Sequence, residues 1–377
     1  MREILRRFAA FTPSMPSFPP LHRLHRSTAV RVVATLLLAF AAARLCLLLH
    51  TPLPWMIGPL LATGIASVLG APTCSWSPLR NAGQWTIVVA LGLYFTPEIT
   101  ALVGSLWWAM ALGIAWALGL GVLFGRWLAR MHASRTPNGD EAEMRATSYF
   151  AGAIGAASEM TLLAERAGAR TDLVAAAHTL RVLMVTLVVP FALQIAGLHG
   201  DPLGVPVPRP VSWPGLALLA AVTGCGGFLL QRLGRANPWF LGPLIVCMGL
   251  TMAEVSLSAV PPWMSNLAQM VIGVSLGVRF SAGFLHTAPR WLATVAAGTL
   301  VLMGLCAGLA WLLAGVTGLH PATLLLATSP GGIAEMAITA KVLNLGAPVV
   351  TAFQVCRLIA VLVLVEPLYR WAYARRG

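Results

Sequence analysis

Charged residues are scarce in this sequence. Only 10% of its 377 residues are Asp, Glu, Lys or Arg, whereas soluble domains average about 25%, and Lys341 is the single lysine. Hydrophobic residues make up 58% of the chain, with apolar runs at 30–49, 101–124 and 292–316. These runs approach or exceed the roughly 20 residues that cross a hydrocarbon core as a helix. The composition excludes an ordinary soluble domain and predicts a polytopic membrane protein.

Several signatures of other classes are missing as well. The apolar runs lack the alternation of a transmembrane strand, so helices are the predicted spanning elements. The net charge of +13 comes from arginines scattered at the ends of apolar runs, which sets membrane topology and does not form a nucleic-acid surface. No Cys-x-x-Cys, no His pair at i, i+4 and no P-loop occurs. We therefore expect no metal, no cofactor, no ATP-driven transport and no enzymatic activity.

An internal repeat is the strongest signal that is present. Matched stretches follow in the same order in both halves: PWMIGPL (54–60) with PWFLGPL (238–244), Gln84 and LGLYF (91–95) with Gln269 and LGVRF (276–280), then a Glu-Met segment (152–160 and 328–336). An arginine lies 22 residues after the glutamate of each segment. The order and the spacings indicate two homologous halves.

The repeat divides the chain into five parts. They are a disordered Arg- and Pro-rich cytoplasmic tail (1–28), a first transmembrane repeat (29–196), a Pro- and Gly-rich linker (197–211), a second transmembrane repeat (212–371) and a short basic tail (372–377).

The distribution of arginine predicts how the halves insert. With the N-terminus inside, the four connections assigned outside hold no Lys or Arg, although Arg209 lies outside and Arg44 lies at the outer end of the first helix. This scheme requires that segments 147–170 and 322–345 do not cross fully. We therefore predict an all-α bundle of two inverted repeats, each with about five crossings and one re-entrant or broken helix. If both segments span, there are twelve crossings and the halves are parallel.

Four ionisable side chains fall at predicted membrane depth: Glu159, Glu335, Arg181 and Arg357. Insertion of Asp, Lys or Arg there costs roughly 2.5 to 3.5 kcal/mol each, so a functional site with a partner is the default interpretation. A carboxylate near an arginine could bind a cation or exchange a proton as access alternates. The alternative is an ion pair that only locks helices together. The sequence does not decide which glutamate lies near which arginine.

A second group of candidate binding residues surrounds these four: Ser329, Gly331, Gly332, His178, Gln354, Gln84 and Gln269. Ser329 followed by proline is typical of a helix start. Gln84 and Gln269 recur at matched places, either as inward-facing hydrogen bonders of a site or as interhelical bonds. His178 stands where the second half has Gln354, either as a proton relay or as a hydrogen-bonded helix residue.

The duplicated Pro-Trp-x-x-Gly-Pro stretch, the Ser-Pro-Gly-Gly-x-x-Glu-Met segment at 329–336 and the Arg-containing helix after it resemble the AbrB-type bacterial membrane proteins, which carry a duplicated membrane domain. The resemblance covers nearly all of 30–370. The first copy departs from it, because Ile154 stands where the proline would be while Gly155, Glu159 and Met160 are kept. The resemblance implies a transporter-like protein, and names used in the family refer to an ammonia monooxygenase or a membrane regulator.

We therefore expect a secondary transporter or exporter of a small solute, coupled to protons or Na⁺, with its site between the two Glu-Met segments. It would lie in the bacterial inner membrane with both termini cytoplasmic. Its expected partners are the lipid bilayer and a small molecule or ion, not nucleic acid, and a homo-oligomer is left open. A membrane-embedded regulator of gene expression that senses a ligand is the alternative. An ammonia-monooxygenase-like enzyme is disfavoured for want of metal ligands.

Overall fold

A computed structural model describes residues 21–132, 141–198, 200, 210–235, 237–280 and 288–373, with side chains described from 28 to 371. The described residues form fifteen helices and contain no strand. The first half comprises α1 Leu21–Leu48, α2 Pro54–Val68, α3 Ser77–Gly92, α4 Pro97–Ser105, α5 Trp107–His132, α6 Glu141–Gly152, α7 Ala157–Arg166 and α8 Thr171–Ile195. The second half comprises α9 Trp213–Arg232, α10 Pro238–Met252, α11 Pro262–Gly277, α12 Pro289–Thr317, α13 Pro321–Thr328, α14 Ile333–Val342 and α15 Ala347–Tyr373.

The two halves follow the same plan. Each contains a long helix, a short Pro-Trp helix, a Gln-containing helix, a second long helix, two half-helices and a third long helix. In the first half α4 follows α3 at an angle of 91°. The corresponding stretch of the second half, 281–287, lies outside the described residues, as do 1–20 of the predicted tail, most of the linker and 374–377. The first helix begins at Leu21, within the stretch assigned to the tail.

The number of clear membrane spans is smaller than the predicted ten. Six helices, α1, α5, α8, α9, α12 and α15, are long and apolar enough to cross, and a seventh span results if α3 and α4 count as one. The Pro-Trp helices have 15 residues each, which is about 22 Å at 1.5 Å per residue against a core of about 30 Å. The all-helical polytopic architecture is confirmed, while the ten crossings and the inversion of the halves stay predictions.

Glycines explain why the Pro-Trp stretch recurs. A Cβ built on Gly58 of α2 would lie 2.7 Å from the carbonyl oxygen of Ala42 on α1, and one built on Gly242 of α10 would lie 2.4 Å from that of Gly226 on α9. Only glycine allows helix backbones to approach this closely. Each half therefore fastens its Pro-Trp helix to the preceding long helix in the same way.

Each Gln-containing helix packs closely against a helix of the other half. A Cβ on Gly92 of α3 would lie 2.7 Å from the Cβ of Cys247 on α10, and one on Gly277 of α11 would lie 2.6 Å from the carbonyl oxygen of Leu60 on α2. Gly92 and Gly277 are equivalent positions of the repeat. Each half thus packs its Gln-containing helix against the Pro-Trp helix of the other half.

Both Glu-Met segments are broken helices. The helix stops at Gly152 and restarts at Ala157 in the first half, and it stops at Thr328 and restarts at Ile333 in the second. In the second break Pro330 has no N–H to continue the helical ladder, and Ser329 adopts an extended conformation with φ −61° and ψ 147°. The breaks fall inside the predicted segments 147–170 and 322–345.

Candidate functional site

The side chain of Arg357 binds the backbone of the second break. Its Nη1 donates to the carbonyl oxygen of Ser329 at 2.5 Å, and its Nη2 donates to that of Gly331 at 3.0 Å and to Oε1 of Gln354 at 2.5 Å. Gln354 Nε2 donates in turn to the carbonyl oxygen of Leu326 at 2.8 Å. Both side chains are buried on α15. They therefore satisfy the carbonyls that the end of α13 leaves without helical partners.

Arg181 and His178 do the same at the first break. Arg181 Nη2 donates to the carbonyl oxygen of Ala153 at 2.8 Å and to Nδ1 of His178 at 2.7 Å, and Nη1 lies 3.4 Å from the carbonyl oxygen of Ala151. His178 Nε2 bonds the carbonyl oxygen of Phe150 at 2.9 Å. Because Nδ1 accepts from arginine and Nε2 faces a carbonyl, the imidazole is neutral with its proton on Nε2. His178 is therefore the counterpart of Gln354.

The hypothesis of a Glu–Arg ion pair at membrane depth is wrong. In the described part of the chain neither Glu159 nor Glu335 pairs with Arg181 or Arg357, and the ion pairs found there are on the surface: Arg145 with Glu141, Arg170 with Asp172, and Arg370 with Glu366. The buried arginines bind the carbonyl ends of half-helices, where the helix dipole favours a cation. Backbone carbonyls are a known partner of intramembrane arginine, and they are invisible in a side-chain pattern.

A cavity of about 150 Å³ lies between the two breaks. Both breaks contribute to its wall through 154–157 and 330–335, and Arg181 and Arg357 line it as well. The facing wall comes from the Gln-containing and Pro-Trp helices and includes Gln84, Asn237, Phe240, Leu276 and Arg279. The cavity is therefore the place where both halves and both breaks meet.

Glu335 is the carboxylate of this lining. It is 7% exposed and lies so close to Gly332 that a Cβ built there would be 1.9 Å from its Oε2. Its carboxylate accepts from its own backbone N–H and is attracted by the charge of Arg279. Glu159, its counterpart, is half-buried and does not line the cavity. The two halves therefore contribute unequally to the site.

The second group of candidates divides in the same way. Gln84 lines the cavity, and so do Gly331 and Gly332, whereas Gln269 is buried outside the lining. Ser329 is also buried, with its Oγ 3.0 Å from Sδ of Met336 and its carbonyl bound by an arginine. Ser329 thus shapes the break and does not face the cavity.

Arg279 is the residue that sequence reasoning missed. As an arginine just after an apolar helix it resembles a topology signal. Its side chain is exposed, lines the cavity and has no hydrogen bond to any other residue that the structure describes. Comparison of the halves could have found it, because Arg279 in LGVRF stands where Tyr94 stands in LGLYF.

Comparisons with known proteins agree with the resemblance. The profile of the family described as "Transition state regulatory protein AbrB" matches residues 55–373. The chain is 26% identical over 355 residues to an uncharacterized protein, YhjN, of Bacillus subtilis (strain 168), covering 86% of this chain and 88% of that protein. It is 27% identical over 331 residues to a protein named "Putative regulator AbrB" of Escherichia coli (strain K12), covering 84% and 89%. Neither name states a substrate.

Proposed function

The chain belongs to the AbrB family, and from that premise we propose that it is a secondary transporter that moves a small solute across the bacterial inner membrane. The observation that carries this proposal is the cavity between two broken helices, each of which is bound by an equivalent pair of buried side chains. Irregular backbone at membrane depth is tolerated where it is buried or lines a wet cavity. Broken helices that meet at the repeat interface are the usual site of secondary transporters.

The direction of access follows from the arginine pattern. Gln84, Asn237 and Arg279 lie close to helix ends that the positive-inside rule assigns to the cytoplasm, near Arg80 and Arg235. In this orientation the cavity wall formed by these residues faces the cytoplasmic side. A carrier would close that side and expose the breaks to the opposite side in its second state.

Glu335 is the residue that we assign to coupling. A buried carboxylate can take up a proton or supply oxygen to Na⁺. The three arginines of the same lining repel a bound Na⁺. In addition, Na⁺ needs more oxygen ligands than one carboxylate offers. The lining therefore favours a proton as the coupling ion.

Alternating access is tested by thiol labelling. In a background in which the six cysteines are replaced by alanine, Ala156→Cys in the cavity wall is treated with an impermeant maleimide in oriented vesicles. A carrier exposes this position to both sides of the membrane in turn, so reaction is expected from either side. Glu335→Gln should make the two rates insensitive to an imposed proton gradient. Ala71→Cys, in the exposed loop after α2, is the control and should react from one side only.

A regulator is the second candidate, because the Escherichia coli relative is named as one. A sensor would bind its ligand in the same cavity without carrying it across. Ala156→Cys would then react from one side under every gradient, and this result would contradict transport.

A further inference from the structure

We propose that the solute bound in this cavity is a small oxyanion, a carboxylate or phosphate compound. The inference rests on the proposed function for the claim that the anion is carried, whereas binding can be measured without it. Its basis is the combination of charge, hydrogen-bond donors and size found at one place in the fold.

The charge of the lining is positive. Arg181, Arg279 and Arg357 face one carboxylate, that of Glu335, which leaves a formal charge of +2 from three positive and one negative group. The carbonyls that bind Arg181 and Arg357 satisfy hydrogen bonds but carry no net charge. This excess favours an anion and opposes a cation.

The backbone of the lining also offers hydrogen-bond donors. The first turns of α7 and α14 contribute to the cavity wall, and neither helix has a side-chain cap at its N-terminus. Apart from the N–H of Glu335, which its own carboxylate accepts, the N–H groups of these first turns have no helical partner, and the positive ends of the helix dipoles lie at the cavity.

Two arginines add further donors. Nε of Arg181 is buried and has no partner in the described part of the protein, although Arg181 is only 2% exposed. The guanidinium of Arg279 has no hydrogen-bond partner among the described residues, and this planar fork matches the oxygens of carboxylate and phosphate. The amide of Gln84 supplies one more donor in the same wall.

The volume limits the size of the anion. A cavity of about 150 Å³ has the size of one that holds benzene in another protein. Acetate and phosphate are smaller than benzene and fit, whereas a nucleotide does not. The structure thus points to a compact oxyanion.

Binding is tested on the purified full-length protein with four probes at constant ionic strength: acetate, phosphate, acetamide and methylammonium. The melting temperature is expected to rise in a saturable way with acetate or phosphate. Acetamide has the shape of acetate without its charge, and methylammonium has the opposite charge, so neither should raise it. Which of the two anions binds more tightly identifies the carboxylate or the phosphate class.

Arg279→Gln separates the site from general salt effects. Because Arg279 is exposed and its side chain has no hydrogen bond to another described residue, the variant should melt like the wild type without ligand and bind the anion at least tenfold more weakly. Arg235→Gln, which changes an exposed arginine outside the lining, should bind as the wild type does.

The inference is overturned if acetate and phosphate do no better than acetamide, or if Arg279→Gln binds them as the wild type does. Two-sided labelling of Ala156→Cys without anion binding would remove the inference and leave the carrier. Anion binding with one-sided labelling would keep the anion site and remove the carrier.

Discussion

Gly332 determines where the carboxylate of Glu335 lies. The glycine is the residue before α14, with φ −74° and ψ 150°, a conformation that alanine adopts without strain. Its special property is the missing side chain, because Oε2 of Glu335 occupies the space that a Cβ would fill. A substitution here therefore moves the carboxylate without altering its chemistry.

We predict that Gly332→Ala behaves like Glu335→Gln in transport assays. The added methyl group pushes the carboxylate out of the lining, so the response of Ala156→Cys labelling to a proton gradient should be lost. The protein should still fold, with a change in the free energy of unfolding of about 1 to 2 kcal/mol, because the neighbour is a side chain that can rotate. Labelling rates and melting curves of the same preparations measure both effects.

Gly304→Ala in the middle of α12 is the matched control. A Cβ there meets no atom within 4 Å, and replacing glycine by alanine inside a helix stabilises by roughly 0.5 to 1 kcal/mol. If Gly332→Ala responds to the gradient as the control does, the position of the carboxylate is not what coupling depends on.

At the scale of the element, the half-helices depend on their caps. The half-helix α13 has only 8 residues, and helices shorter than about 12 residues are marginal on their own. Gln354 binds a carbonyl in the last turn of α13, and Arg357 binds the carbonyl of Ser329 just after it. At the first break, His178 binds a carbonyl in the last turn of α6, and Arg181 binds the carbonyl of the residue just after it. In both halves, two side chains of the following long helix thus bind the backbone at the end of the half-helix.

We predict that Arg357→Ala lowers the free energy of unfolding by about 2 to 5 kcal/mol. It removes the donor to the carbonyl oxygen of Gly331 and to the amide oxygen of Gln354, and it leaves the carbonyl oxygen of Ser329 with only the 3.3 Å bond from Gln354. Arg357→Lys should recover part of the loss, since it keeps the charge but not the planar fork. Arg181→Ala should cost a similar amount, because its contacts are equivalent. Denaturant unfolding in detergent, followed by circular dichroism, measures these differences.

Arg290→Ala, at an exposed arginine at the start of α12, should stay within about 0.5 kcal/mol of the wild type. Equal effects of Arg290→Ala and Arg357→Ala would show that the cap does not stabilise the break.

Sequence reasoning was most successful with the elements and least with their partners. The repeat, the Gly-rich Glu-Met segments and Ser329-Pro330 predicted two interrupted helices, because glycine and proline act locally on the backbone. The predicted Glu–Arg pairing was wrong because distance along the chain does not show which group a guanidinium binds. Arg279 was missed because an arginine after an apolar helix can be either a topology signal or part of a binding site. The Pro-Trp helices were counted as full spans because they are apolar, although their 15 residues each fall short of the roughly 20 that a full span needs.

At the scale of the whole molecule, the Gln-containing helices of the two halves cross at matched positions. Gly83, in the second turn of α3, faces Ala268 and Val271 of α11, and Ala268 is the position that the repeat makes equivalent to Gly83. Inverted halves and parallel halves both allow such a crossing, so the two arrangements are distinguished by where the junction between the halves lies.

We predict that Val211→Cys is labelled by an impermeant maleimide on intact cells, in the background without native cysteines, and that Leu233→Cys is labelled only after the membrane is permeabilised. Both positions are exposed, and they flank α9, one of the six clear spans. Inverted halves of odd crossing number place the junction outside, and Arg232 and Arg235 keep the other end of α9 in the cytoplasm. Parallel halves of six crossings would return the junction to the cytoplasm and reverse both results, so the pair of variants decides between the two arrangements.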